Sequence, residues 1–477
     1  MEFDLNKKYC YYFKQISDIP RGSGNEKVVS DFVVELAKKH GYDYIQDELY
    51  NVIVSKPASP GYENSEPLIM QAHLDMVCEK NMDVEHDFEK DPLDLYADEE
   101  GWLHARGTTL GADDGQGVAY MLAILDDETL EHPELQCTFT VMEEIGLLGA
   151  KALKKEYFHS NRYINLDAGS EDCCTVSSSG GARAVLSKKL TFEADERPAY
   201  CLQIRGLKGG HSAGAIHEER GNAILLAART AYEIGRTCGD MRLSDISGGM
   251  KFNAIPREAD LVFTSAADPK LISECAEKCF EDIGRELQYS DEGFYGKLIP
   301  LTAERSIGTE ETEKVLSFLN VIPNGLQHRS MAIEGLSIAS LNAGVIYIED
   351  DTLKIDDLIR SALASHGDEM IRKLEILCSH FGFEMSLSDR YYGWDYVKDS
   401  PLRQILREVL KEKGIEMKER ATHGGLECGI FKGLIPDLDI VTYSPVSTGE
   451  HTPAEKLDRA SFDRAYANLC ELLRRCK

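Results

Sequence analysis

A chain of 477 residues is too long for one ordinary hydrophobic core and points to two domains. With 43% hydrophobic and 28% charged residues it has a globular composition, and a net charge of -29 argues against nucleic acid and anionic membranes as partners. The opening "MEFDLNKKYCYYF" is no signal peptide, no apolar run approaches the roughly 20 residues of a membrane span, and 13 scattered cysteines without a CxxC pair suit reduced thiols in the cytoplasm rather than a disulfide framework or structural zinc.

In chain order, "SGNEKVVSDFVVELAKKHG" reads as a helix. Ser23 and Glu26 fit a capping box, Val28, Phe32, Val33 and Leu36 make an apolar stripe, and Gly41 stops it. "YNVIVSKP" and "PLIMQAH" read as strands, and "GQGVAYMLAILDD" as an apolar helix after a glycine-rich turn. "CTFTVMEE" and "RYINLDAG" are two more β-rich runs, with helical "GAKALKKEY" between them. Strands alternating with helices predict a mixed, mainly parallel sheet between helices, an α/β fold. From about residue 186 the pattern changes to paired strands with long amphipathic helices such as "RGNAILLAARTAYEIGR", an α+β segment with room for two similar β-α-β units. After "YYGWDYVKDSP" the α/β style returns. The expected organisation is one catalytic domain from residues 1–185 and 386–477, with an α+β domain of residues 186–385 inserted into it.

Ligand-type residues recur where apolar strands end. His73 and Asp75 follow "LIM", and Asp113 and Asp114 sit in "GTTLGADDGQG". Glu143 and Glu144 end "CTFTVM", Asp167 ends "RYINL", and His451 lies after "DIVTYSP". In an open α/β sheet, ligands bind outside the carboxyl ends of the strands, so these groups converge if the strands are parallel neighbours. Taken singly, each motif has a plainer reading: a solvated pair for HxD, surface charge for EE, an Asp N-cap for "GADDGQG". The repeated placement favours a pair of divalent cations, which relieves the repulsion among the carboxylates. Imidazole and carboxylate suit two Zn2+, with Co2+ or Mn2+ as substitutes. One Asp of the glycine-rich loop would bridge, His73 and Asp167 would complete one cation, and Glu144 and His451 the other. The tandem glutamates point to opposite sides of extended backbone, so one can ligate while the other acts as base; the residues alone leave open which does which.

With "QAHLDMV", "RGTTLGADDGQGVA", "MEEIGLLGA", "NLDAG", "GGHSAGAIHEERGNA", "FNAIP", "RSA", "HGGLECG" and "GEHTPAEK" in order along nearly its whole length, the chain resembles the co-catalytic zinc peptidases related to carboxypeptidase G, aminoacylase and peptidase T. Within them it is similar to the bacterial aminoacyl-histidine dipeptidases, also called cytosolic Xaa-His dipeptidases or carnosinases. The resemblance implies that Asp113 is the bridge, Glu143 the general base, and Asp75 the carboxylate that orients His73. It also implies that the inserted domain is a lid that forms a homodimer. There His211 would reach the active site of the partner subunit, Asn253 and Arg360 would hold the substrate's carboxylate, and Gly425 would form a backbone wall. Glu427 would meet a substrate amine or form a structural salt bridge. The implied activity is hydrolysis of small peptides, Xaa-His and β-Ala-His (carnosine) among them. The alternatives on the same scaffold are an amidase for N-acyl amino acids and a tripeptidase.

Overall fold

The computed structural model describes residues 3–477, and the chain divides into two compact units. The first holds the chain up to Ser177, Trp394–Ala421 and Leu426–Lys477; the second holds Ser178–Gly393 and Thr422–Gly425. These junctions lie eight residues outside the expected 185/186 and 385/386. The physical reason is that the expected cuts fall inside the paired strands Gly180–Lys189 and Glu384–Tyr391, which the structure keeps whole.

The first unit is built on a six-stranded sheet ordered Asp43–Gln46, Val52–Lys56, Leu135–Thr140, Leu68–His73, Arg162–Asn165, Asp439–Thr442. The last four run parallel, and both Leu68–His73 and Leu135–Thr140 are buried at every position, as strands covered on both faces must be. The first two pair antiparallel because a short turn joins them, held by the Asp47 side chain accepting from the Leu49 and Asn51 amides. The helix Ala112–Leu125 is buried along almost its whole length, which suits its apolar composition. Tyr120 stacks on Phe462 and its hydroxyl donates to the Phe462 carbonyl, so the closing helix Arg459–Arg475 locks against a helix from the first third of the chain. Both ends of the sequence therefore build this unit.

The helix Lys27–His40 forms with Gly41 in the left-handed region at its end. Its buried stripe is Val29, Val33, Val34, Leu36 and Ala37, however, and Val28 faces solvent. The expected capping box is absent: neither Ser23 nor Glu26 caps the helix, because both side chains are engaged elsewhere.

The second unit carries an antiparallel nine-stranded sheet. Its path runs Tyr295–Leu301, Ala199–Arg205, Ala259–Thr264, Arg242–Gly248, Ser337–Glu349, Thr352–Ser361, Gly180–Lys189, Glu384–Tyr391, with Gly325–Arg329 added beside Ser337–Glu349. The two halves meet at one register pair, Gly248 with Ile346. Ile224, Ala227, Ala231 and Ile234 of the helix Ala223–Cys238 are fully buried in the core with Leu202, Leu243 and Phe263 from the sheet. All 13 cysteines are free, and among the described residues no helix is long and apolar enough to cross a membrane.

Asn222 caps the helix Ala223–Cys238, accepting from the Ile224 and Leu225 amides while its own amide donates to the Ala343 carbonyl. Asn222→Ala is expected to lower the stability of the second unit by about 1–2 kcal/mol, read as a shift in urea unfolding.

Candidate metal centre and a polar pocket

In the first unit the ends of the parallel strands bring the expected acids and imidazoles together. His73 Nε2 lies 3.0 Å from Asp113 Oδ1, and His451 Nε2 lies 3.3 Å from Asp113 Oδ2 and 2.9 Å from Glu144 Oε1. Three groupings offer one ligand atom per residue within 4.8 Å: His73 with Asp113 and Asp167, Asp113 with Glu144 and His451, and His73 with Glu143 and Glu144. Asp113 stands in the first two, so it joins two sites. Two imidazoles among four carboxylates form a donor set suited to a borderline divalent cation. Glu144 Oε1 is buried and close to His451, yet the two are not aligned as a hydrogen bond. An imidazole nitrogen and a carboxylate oxygen set this close without a hydrogen bond fit a shared cation.

The charges show the same crowding. Burial raises the Asp167 and Glu143 carboxyls well above the usual carboxylate range, Asp113 adding to the first and Asp167 to the second. For Asp113 burial acts in the same direction, but the bonds to His451 and His73 outweigh it and hold the group below its ordinary value. His451, half exposed, is pushed up to about 10 by Asp113 and Glu144.

The tandem aspartates divide their tasks. Asp113 faces the histidines, whereas Asp114 turns inward and accepts from the Gly117 amide, so the plainer capping role belongs to the second residue. The loop before them is held by two residues that sequence reasoning missed. Glu455 accepts from the backbone amides of Leu110, Gly111, Ala112 and Asp113 at 2.7–3.2 Å. Buried Arg21 donates to the carbonyls of Leu74, Asp75 and Gly111. A charged residue beside glycine in "PRGSG", and another in "HTPAEK", were the available signals.

Asp75 lies fully buried behind His73, whose Nδ1 is 3.1 Å from the Asp75 carbonyl and 3.4 Å from Oδ1. Its carboxylate also accepts from the Glu143 and Glu144 amides, at 3.0 and 3.2 Å, and from Ser23 Oγ at 2.8 Å. Glu26 accepts from the Met142 amide, so the "SGNE" segment secures the site rather than a helix end. Glu427 forms no salt bridge among the described residues: it is buried, accepts from Gln71 and Thr140, and is pushed up to about 7 by burial.

The second unit gathers the remaining expected residues. Strand Gly210–His211 pairs with Ala254–Ile255, and the Ser212 amide donates to the Asn253 carbonyl at 2.9 Å. Arg360 is buried and reaches Ser212 Oγ and the His423 carbonyl only at 3.5 Å, with no ion pair among the described residues. A buried guanidinium so weakly satisfied is suited to an incoming anion. A Cβ on Gly425 would stand 2.7 Å from the Tyr391 hydroxyl, so glycine is needed for that approach. Beside them His423 sits between Ser179 Oγ and Ser340 Oγ, each at 2.7 Å.

Compared with known proteins, residues 69–475 match the model of "Peptidase family M20/M25/M40". The chain is 34% identical over 469 residues to the "Cytosol non-specific dipeptidase" of Escherichia coli (strain K12), covering 97% of this chain and 96% of that one. The crystal structure of aminoacylhistidine dipeptidase from Vibrio alginolyticus superposes with a TM-score of 0.91 at 32% identity, over 98% and 96% of the two chains. Aminopeptidase PepT from Bacillus cereus shares the fold, with a TM-score of 0.57 at 14% identity over 99% of each chain.

Two outcomes follow. Glu455→Gln replaces an oxygen that accepts backbone amides with a donor, beside the buried Arg21 charge; it should cost about 3 kcal/mol in denaturant unfolding and reduce bound metal measured by mass spectrometry. Burial depresses His423 to about 3, so between that value and its unfolded range near pH 6.5 only the unfolded chain carries the proton. The stability owed to neutral His423 is thus complete above about pH 6.5 and is lost as pH falls. His423→Gln should flatten the fall of stability between pH 6 and 4 by up to about 1.4 kcal/mol per pH unit, read from unfolding at stepped pH.

Proposed function

Because the chain belongs to peptidase family M20/M25/M40, a family of metal-dependent peptidases, we propose that it is a cytosolic dipeptidase that cleaves dipeptides with free ends, Xaa-His and β-Ala-His among them, at a centre of two zinc ions. The observation that carries this reading is the pair of three-ligand groupings sharing Asp113. Two similar proteins, one named a cytosol non-specific dipeptidase and the other an aminoacylhistidine dipeptidase, support the substrate class and compartment.

His73, Asp113 and Asp167 would hold one cation, and Asp113, Glu144 and His451 the other. When bound, such a pair polarises a carbonyl and lowers the pKa of water toward neutrality. Glu143 takes the proton of the attacking water and passes it to the leaving amine, a task suited to a carboxyl whose proton affinity burial has raised. Asp75 fixes the ring of His73 and the peptide units of both glutamates. In the second unit Arg360 and Asn253 bind the peptide's carboxylate, Gly425 lets main chain approach, and His211 donates to the oxyanion in the active site of the partner subunit. Burial and the Arg360 charge lower the pKa of His211, keeping it a neutral donor. The second unit also serves as the homodimer contact.

Glu143→Gln should lower kcat by about 10²–10⁴ while metal content stays at the wild-type level. Chelation should abolish hydrolysis, and zinc restore it. Ala-His and β-Ala-His should be cleaved in preference to an N-acetyl amino acid and to Ala-Ala-Ala. Full activity of Glu143→Gln with metal retained would falsify the assignment of the base.

A further inference from the structure

One buried side chain in the second unit holds the carbonyls of the two residues that flank a proposed substrate-binding residue. Asn342 is 1% exposed, and its Nδ2 donates to the Phe252 carbonyl at 3.1 Å and the Ala254 carbonyl at 2.9 Å. Phe252 and Ala254 are the residues before and after Asn253. A primary amide has two N–H groups on one nitrogen, and both are spent here. Asn342 is itself fixed on the central strand Ser337–Glu349, where its backbone amide donates to Asp357 at 3.1 Å. Two residues on, a Cβ at Gly344 would meet the Phe252 carbonyl oxygen at 2.4 Å, so the strand presses directly on the same segment.

We propose that Asn342 is a positioning residue for substrate binding: its amide grips the backbone around Asn253 and thereby aims the Asn253 side chain at the peptide's carboxylate. This rests on the reading that Asn253 meets that carboxylate. The segment Gly249–Asn253 lies outside any strand, and a loop that binds an anion gains affinity when its geometry is set beforehand. Leucine matches asparagine's branching but donates nothing, so Asn342→Leu releases both carbonyls while keeping the space filled. Gly344→Ala displaces the same segment without touching Asn342.

The test uses the zinc-loaded full-length enzyme with Ala-His and with its C-terminal amide. Asn342→Leu and Gly344→Ala should each raise KM for Ala-His by about tenfold, with kcat falling less than KM rises. KM for the amide should barely move, and discrimination between acid and amide should shrink toward that of Asn253→Ala. Asn342→Leu combined with Asn253→Ala should be no worse than Asn253→Ala alone, since coupled residues are not additive. A purely structural role for Asn342 would lower the melting temperature and leave the acid-to-amide ratio unchanged, which overturns the proposal. If Asn342→Leu does not fold, Gly344→Ala decides on the same ratio. If Asn253→Ala itself leaves that ratio at the wild-type value, the assignment of Asn253 fails and the proposal with it; wild-type ratios in the other variants beside an altered Asn253→Ala refute the proposal alone.

Discussion

The first unit depends on one carboxylate that no solvent reaches. Asp75 joins the end of one strand, which carries His73, to the start of the loop after its parallel neighbour, which carries Glu143 and Glu144. Burying a charge is costly unless every oxygen is used, and here two amides, a hydroxyl and an imidazole use them. Burial raises the pKa of Asp75, but the bonds from His73 and the backbone outweigh it and keep the group ionised. This tie gives the imidazole and the two carboxyl side chains at the strand ends a common reference.

The two units solve opposite electrostatic problems. In the first, carboxylates outnumber imidazoles, and burial raises the pKa of Asp167 and Glu143, the cost of close-packed negative charge. In the second, Arg360 is a buried positive charge with weak contacts, and His423 beside it is kept neutral by burial and by that charge. One site is arranged to collect cations, and the other is suited to an anion.

Much of this was legible in the sequence because strand ends are local. An apolar run followed by His, Glu or Asp marks a position on a sheet edge, and four such runs mark one edge when the strands lie parallel. The residues at fault were those whose partners lie far away. Ser23 and Glu26 have the spacing of a capping box, and only tertiary contact shows that Asp75 and Met142 claim them instead. Val28 belongs to the apolar stripe by composition, yet the helix turns it outward and buries Val29. Arg21 and Glu455 carry only a weak local signal, a charge near a turn and a charge before a short strand, and neither names its distant partners. Which aspartate of the pair faces the histidines is likewise a matter of backbone geometry that spacing does not encode.

The grip of Glu455 on the loop before Asp113 spans 345 residues of sequence. During synthesis on a ribosome, the loop is made long before the residue that will fasten it, and His451 emerges with that same late stretch. The nascent chain therefore carries this loop unfastened until that late stretch has been made.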